Sequence, residues 1–521
     1  MTGERQIGTV LEAACETLRG GAVDPSTAAA YAVTLLFARY AAAAHDERFA
    51  GLLARYGGDA ARAERALELS GGLVAPRATR LDSPSRRGDD PDRGLGEAID
   101  ARLAALAAAN PGTLATADGS AFRHLPFAHP ALGPAPERTA RLRRVLEGIR
   151  EADLDLRPGR LAHPGAFALA AERLLASQAA ETKARPGGLP TPPEVAGLMA
   201  RLADPQPGDR VCDPFCGSGA LLTHAASRLR ERHGDAAELT LYGQESHGRR
   251  WGLAVQLAAS RDPGAATLRR GDSLLEPAFL TAEGELDRFD VVVSHPPFGV
   301  KAWGRDAAQD DRFGRFAYGL PTSAKGDFAF LSHLLACGDP QRGRVVALLP
   351  AGVLFRGGTE ATIRRRIVEA GALEAVVALP PRLLYGTQAA SCLLVFDHAR
   401  ARGAGRAGEV LLVDASAYFR PGGRRHVLRA EDVDRVAEVY TRFRAGEPGT
   451  GASDGRPAAV VSAEALATQG HNLNVALYVD TLRPEGPVDM AAVGRRLRAT
   501  REELRAVEER MDAILRDLGM E

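Results

Sequence analysis

The run Asp213-Pro214-Phe215-Cys216-Gly217-Ser218-Gly219 sits where a strand-like segment, Arg210-Val211-Cys212, passes into a helix-like one, Ala220 to Ala226. A strand tip that opens through glycines into a helix belongs to α/β folds. Gly217 and Gly219 can take positive φ and let a ligand approach the backbone closely. The helix N-terminus that follows favours electronegative groups, and Asp213 at the strand end would face a cationic one. The dinucleotide fingerprint GxGxxG does not fit, because Ala220 and Leu221 follow Gly219 and no third glycine arrives in register. That argues against a nicotinamide enzyme. Taken alone, the turn is as compatible with plain α/β packing as with a ligand site.

Acids at later strand tips weigh towards a site, since ligands of doubly wound sheets sit beyond the carboxyl ends of the strands. The strand-like run Leu239 to Gln244 ends at Glu245, whose carboxylate could accept both hydroxyls of a ribose. Ala266 to Gly271 ends at Asp272, a short acid able to accept the exocyclic amine of an adenine. Any one of these would ordinarily be a solvated loop acid; acids at successive tips form a pattern. Phe289-Asp290-Val291-Val292-Val293 reads as a buried parallel strand and leads into His295-Pro296-Pro297-Phe298-Gly299. Two prolines stiffen that turn and remove two N–H donors, leaving carbonyls free to accept from a substrate NH2 group. Phe298 offers a flat face to a base taken out of a duplex. An aromatic amine is a poor nucleophile because its lone pair is delocalised, so acceptors for its N–H bonds and in-line placement against a methyl donor are what the chemistry needs.

Together these motifs resemble those of N6-adenine DNA methyltransferases of the γ arrangement, and more closely the modification (M) subunits of type I restriction-modification systems. The family's cofactor loop D-P-x-C-G-S-G is matched at Asp213 to Gly219, its G-x-x-x-T-P segment at Gly187 to Pro192, its G-Q-E at Gly243-Gln244-Glu245 and its G-D-[ST]-L at Gly271-Asp272-Ser273-Leu274. Leu349 to Gly358, Leu379-Pro380-Pro381 with Tyr385-Gly386-Thr387, and Asn472-Leu473-Asn474 with Tyr478-Val479-Asp480 are also similar to stretches of these subunits. The resemblance implies a Rossmann-like S-adenosylmethionine-dependent methyltransferase core. It further implies that Thr191 and Pro192 hold the methionine end of the cofactor, with Asp213, Gly217 and Gly219 beside it, Glu245 on the ribose and Asp272 on the adenine edge. His295 with Pro296 and Pro297 would orient the target amine, and Phe298 would stack on its ring. Double-stranded DNA and a separate specificity subunit are the implied partners; a restriction subunit is left open.

One position departs from the family. Where it has Asn before Pro-Pro, this chain has His295, and Ser294 is one residue out of register to replace it. A neutral imidazole can accept a hydrogen bond as the Asn amide oxygen does, but it is larger and its lone pair lies differently; protonation would abolish the acceptor. The open readings are adenine methylation, a cofactor- and DNA-binding scaffold that no longer methylates, and methylation of a protein amide or RNA.

The chain has 521 residues, room for two or three domains. Helical spacing of Val10, Leu11, Ala14, Leu18, Tyr31, Val33, Leu36, Phe37 and Tyr40 predicts a helical start, and helices are expected again at Ile99–Ala108 and Ala140–Glu151. The polar stretch from Asp82 to Gly96 and the stretches Ala399–Gly408 and Ala445–Arg456 read as loops. Strands at Arg344–Leu349, Leu373–Leu379 and Ser391–Phe396 extend a mostly parallel sheet. The expected division is an N-terminal helical domain over 1–155, a methyltransferase domain over 156–415 and a C-terminal region over 416–521. In the last, Val493, Leu497, Leu504, Val507, Met511, Ile514 and Leu518 recur at coiled-coil spacing. That stripe either packs on its own domain or, as the resemblance implies, docks on the specificity subunit.

Formal net charge is zero, unexpected for a chain that grips DNA alone and easier to reconcile with shared DNA binding. The clearest local basic face is the Arg364-Arg365-Arg366 trio, which reads as a solvated helix face first and a phosphate contact second. Five scattered cysteines, Cys15, Cys212, Cys216, Cys337 and Cys392, suggest a reducing cytosol and buried thiols, with no zinc spacing. The N-terminus lacks a signal-peptide layout and the Ala-rich run from Thr27 to Ala44 is broken by Arg39, so a cytoplasmic chain without a membrane span is expected.

Overall fold

The computed structural model describes residues 2–19, 23–69, 71–81, 94–179, 190–234, 237–423, 425–447, 457–479 and 490–517. Residues through Val479 form one unit and those from Asp480 a second. The first unit opens with helices α1 (Glu4–Leu18), α2 (Pro25–Arg55), α3 (Ala60–Leu69), α4 (Leu95–Ala108), α5 (Ala135–Glu151) and α6 (Ala166–Ala179). The Asp24 carboxylate caps the start of α2 by accepting from Thr27 N, and Pro25 occupies its first turn, where a missing N–H costs nothing. The α2 helix is long and apolar enough to cross a membrane by length and composition, but Ala28 to Ala38 run through the packed interior, as in the core helix of a globular fold.

A nine-stranded sheet follows. Its strands are β1 (Arg210–Asp213), β2 (Thr240–Glu245), β3 (Ala266–Arg270), β4 (Val291–Ser294), β5 (Arg344–Pro350), β6 (Leu373–Ala378), β7 (Ser391–Asp397), β8 (Glu409–Asp414) and β9 (Ala458–Ser462), in the spatial order β9-β8-β6-β7-β5-β4-β1-β2-β3. The pairs β5/β4, β4/β1, β1/β2, β2/β3 and β6/β8 are parallel. β7 is inserted antiparallel between β5 and β6, and β9 adds an antiparallel edge. Chain order runs β1-β2-β3 to one side of β1 and resumes with β4 on the other, so the sheet reverses direction of growth between β1 and β4. That reversal opens a crevice at the carboxyl ends of the two strands.

The sheet is buried on both faces, and the strands say why. Along β5, Val346 and Leu348 enter one apolar cluster while Val345, Ala347 and Leu349 enter the other. Such two-sided apolar strands need helices on each side. One side carries α7 (Pro193–Ala203), α8 (Ala220–His233), α9 (Gly248–Ala259) and α12 (Ala430–Arg444); the other carries α10 (Asp327–Cys337) and α11 (Thr359–Glu369). The N-terminal helices dock on α9 and the β3 edge: Tyr40 donates its hydroxyl to Ser260 O at 2.6 Å, and Arg269 pairs with Asp118 at 2.8 Å. A Cβ on Gly252 would lie 2.2 Å from Ala121 O, so this contact needs glycine.

The helical start is present as α1 and α2. Arg364 departs from expectation: it is buried and donates to His471 O, Val353 O and Arg356 O, while Arg365 and Arg366 are exposed. His398–Arg402, overlapping the start of the expected Ala399–Gly408 loop, forms a turn of 3-10 helix. The expected loop at 82–96 lies outside the described residues up to 93, and that at 445–456 from 448 onwards. All five cysteines are buried. The second unit is described as one helix, α13 (Met490–Asp517), along which Leu497, Leu504, Val507, Met511 and Ile514 form an exposed stripe. Leu518 and the Val493 side chain lie outside the described residues.

Candidate active site

Four parallel strand ends meet a cavity of 360 Å³. It is lined by Gly217 and Ser218 after β1, Glu245 at the end of β2, Asp272 after β3, and His295 and Pro297 after β4. The N-terminal helices close it with Ser26, Leu175 and Ala179. Of the sequence-predicted residues, then, Gly217, Glu245, Asp272, His295 and Pro297 share one cavity; Thr191, Pro192, Asp213, Gly219, Pro296 and Phe298 stand around it without lining it.

The glycine loop takes the expected form. Gly217 and Gly219 have φ of +58° and +88°, a region ordinary side chains avoid. The loop is clamped from β2, because Cys216 N donates to Gln244 O at 3.0 Å and Gly217 N to Glu245 Oε2 at 3.0 Å. A Cβ on Gly243 would lie 3.0 Å from Cys216 Sγ and 2.7 Å from Leu268 Cδ2, so the loop can settle on β2 only where that strand carries glycine.

Glu245 is buried and already well occupied. Its Oε1 accepts from His247 N at 2.7 Å and from Arg250 Nη2 at 2.8 Å, while Oε2 accepts from Gly217 N. A carboxylate offers about four acceptor directions, so the one left on Oε2 is what remains for an incoming hydroxyl. Asp272 is exposed to the cavity; its Oδ1 accepts from Leu274 N at 2.9 Å, which aims the side chain. Two further ties hold the Asp272 loop, and neither follows from motif spacing. Gln244 donates to Glu276 O and accepts from Ala278 N, and Ser273 donates to Pro214 O.

Asp213 lies beneath the cavity, 1% exposed, accepting at Oδ1 from Ser294 Oγ at 2.6 Å and Phe215 N at 3.0 Å. Burial raises its pKa to about 7, the nearby Glu245 charge adds to the rise, and the two hydrogen bonds oppose it. Ser294 is fully buried, so it points into the protein and cannot stand in for the missing Asn.

His295 accepts or donates at Nδ1 to Thr191 Oγ1 over 3.0 Å, and the Phe298 ring meets it edge-on at 5.1 Å and 63°. Burial lowers its pKa to about 4, so the ring is neutral at physiological pH. The turn is held from behind: Gly299 N donates to Asp327 Oδ1 at 2.8 Å, and Asp327 pairs with Arg356 at 2.5 Å. Arg356 belongs to the Leu349–Gly358 stretch, whose place in the site the sequence left unexplained. Phe330 on α10 lines the cavity and packs edge-on against Phe215 at 4.9 Å.

The arrangement can hold a ligand with ribose-like hydroxyls and a heterocyclic edge along β2 and β3, and a planar amine at the β4 turn. Comparison with known proteins points the same way. The type I restriction enzyme MjaVII methylase subunit of Methanocaldococcus jannaschii is 29% identical over 347 residues, 64% of this chain and 56% of that protein. The HindI methylase subunit of Haemophilus influenzae is 29% identical over 275 residues, 52% of this chain and 58% of its own. The chain thus spans about half the length of the curated relatives it matches. Among solved structures, the methyltransferase subunit of a type I restriction-modification system from Streptococcus thermophilus superposes with a TM-score of 0.76 at 21% identity, covering 92% of this chain and all (100%) of the other. That likeness carries the fold, a mostly parallel sheet with helices on both faces. The profile of the N-6 DNA Methylase family matches residues 164–485, from α6 past the end of the sheet, and with the glycine loop, the acids at the strand tips and the Pro-Pro-Phe turn gathered at one crevice, the chain belongs to that family.

Proposed function

We propose that the chain methylates the N6 amine of adenine in double-stranded DNA, with S-adenosylmethionine as methyl donor, as the modification subunit of a type I restriction-modification or related defence complex. The observation that carries this reading is the placement of the His295–Phe298 turn across the sheet's point of reversal from Gly217, so that amine-orienting and cofactor-holding groups open into a single cavity. The cavity residues suit the cofactor: Glu245 retains an acceptor for a ribose hydroxyl, Asp272 retains Oδ2 for an adenine amine, and Asp213 supplies a latent negative charge under the loop. Bound there, the cofactor supplies an electrophilic sulfonium methyl group.

The chain's own residues do the rest. His295 accepts one N–H of the target amine and the backbone carbonyl of the Pro-Pro turn the other, which favours a more pyramidal nitrogen with an available lone pair. Asp327 and Arg356 fix the turn so that this geometry is in place before substrate arrives. Partners of the assembly are a separate specificity subunit, docked on the α13 stripe, and DNA; the zero formal charge accords with a chain that shares DNA contacts. Each relative named above is itself called a type I methylase or methyltransferase subunit.

Incubation of the chain and its specificity subunit with methyl-labelled cofactor and DNA tests the proposal: label is expected on adenine N6. Tight binding of cofactor and DNA with no transfer would instead support the scaffold reading, which the His295 substitution motivates.

A further inference from the structure

We infer that Thr191 is a positioning residue for His295, its hydroxyl holding Nδ1 and thereby leaving Nε2 as the acceptor that meets the target amine. The inference rests on the proposed role of His295 and concerns a pairing that an Asn at this position would not need.

Thr191 Oγ1 lies 3.0 Å from His295 Nδ1, and Thr191 is itself buried, 8% exposed. Its backbone is fixed by the start of α7, where Pro192 precedes the first turn and accepts from Val195 N and Ala196 N. Pro190, one residue earlier, lines the cavity. The segment therefore reaches the site through Pro190 and the imidazole through Thr191. Phe298 packs against the ring at 5.1 Å, limiting rotation. Among the described residues Nε2 has no hydrogen-bond partner, and it is not one of the polar atoms sealed away unpaired. His295 lines the cavity, so Nε2 is the nitrogen open to a ligand.

The chemistry makes the choice of tautomer decisive. A neutral imidazole carries one N–H, on Nδ1 or on Nε2. With the proton on Nε2, the ring would donate to the very lone pair that must attack a methyl group. With the proton on Nδ1, donated to Thr191 Oγ1, the Nε2 lone pair accepts an amine N–H. An Asn presents a carbonyl oxygen that is an acceptor whatever its neighbours do. A histidine does so only when its N–H stays on Nδ1, and Thr191 Oγ1, a hydroxyl oxygen able to accept, is the group placed to receive that N–H.

Long-range nitrogen–proton NMR of the full chain carrying nitrogen-15 histidine reads the tautomer directly, with the His295 signal assigned by its loss in His295→Asn. The wild type is expected to show Nδ1 protonated and Nε2 bare. Thr191→Val should shift the population towards Nε2–H, and Thr191→Ser should restore it. Methyl transfer gives a second readout: Thr191→Val should lower kcat by ~10-fold in the His295 background, Thr191→Ser should recover most of it, and the loss should shrink several-fold when His295 is already Asn. An Nε2–H tautomer in the wild type, a tautomer indifferent to Thr191→Val, or an equal loss in both backgrounds would overturn the inference; the last would mark Thr191 as a cofactor or folding residue. A chain that transfers no methyl group but shows the Thr191-dependent tautomer would reject the proposed function and retain the pairing.

Discussion

Ser294 Oγ sits 2.6 Å from Asp213 Oδ1, both buried, and so joins the carboxyl ends of β4 and β1 directly under the cavity. The serine that could not replace the missing Asn holds together the two loops that any reaction here requires. A hydrogen bond to a charged group contributes about 1.5–3 kcal/mol, discounted here because Asp213 is half protonated near neutrality. Ser294→Ala should therefore cost roughly 1–2 kcal/mol in urea unfolding and should weaken cofactor binding in calorimetry, since the glycine loop loses its tie to the Pro-Pro turn. Unchanged affinity would mean the loops hold their relation by packing alone.

Proton release should accompany cofactor binding. Asp213 is protonated below about pH 7 in the free chain, and a sulfonium nearby would favour the carboxylate and lower that pKa. Binding measured between pH 6 and 7 in two buffers of different ionisation enthalpy should show different heats, with a release approaching one proton. S-adenosylhomocysteine, which lacks the positive charge, should release less. Equal heats in both buffers would place the sulfonium away from Asp213.

Stability should fall as pH rises towards 8, because of Glu172 on α6. It is 4% exposed, its nearest cation candidate is His224 Nε2 at 3.7 Å, and burial raises its pKa to about 8 while lowering that of His224 to about 4. The native state thus keeps a proton on Glu172 that the unfolded chain releases above about pH 4.5, and stability is lost as pH rises from there through 8. His224 acts oppositely: native neutral, it costs stability as pH falls from 6.5 through 4. Glu172→Gln should remove the alkaline slope and, at pH 8, stabilise by a few kcal/mol at order of magnitude, read as a higher midpoint in urea. A slope that persists in the variant would assign it elsewhere.

The contrast among these residues shows what the sequence could and could not reveal. Gly217, Glu245, Asp272 and Pro297 were legible because each sits at a strand end, where residue type and local backbone decide the role. The strands themselves were legible from apolar runs, but the antiparallel setting of β7 was not, since an apolar run carries no direction. β9 carries little sequence signal, because Ala458-Ala459-Val460-Val461 is short and weakly patterned. Ser26 and Leu175 reach the cavity from distant segments, and Asp327 reaches the Gly299 turn by a hydrogen bond; no local pattern announces either. The Glu245–Arg250 pair joins the end of β2 to α9 across five residues, a spacing that neither helix nor strand periodicity singles out.

Arg356 supplies the last test, because its effect on the site runs through a single buried acid. Asp327 is 1% exposed, accepts from Gly299 N and pairs with Arg356, which also pairs with Glu360. Removing one partner of a buried pair costs about 3–5 kcal/mol because the other is left charged and unsolvated; Arg356 keeps some exposure, so Arg356→Ala should fall at the lower end. Asp327→Asn preserves the acceptor for Gly299 N without the charge. The double variant should therefore be more stable than the sum of the single losses predicts, with a residue of destabilisation from Glu360, which loses its own partner. Urea unfolding of the four proteins of this cycle measures the coupling directly. Strict additivity would mean that Arg356 does not act on the Gly299 turn through Asp327, and that the Pro-Pro-Phe loop is held by its prolines and the packing of Phe298 alone.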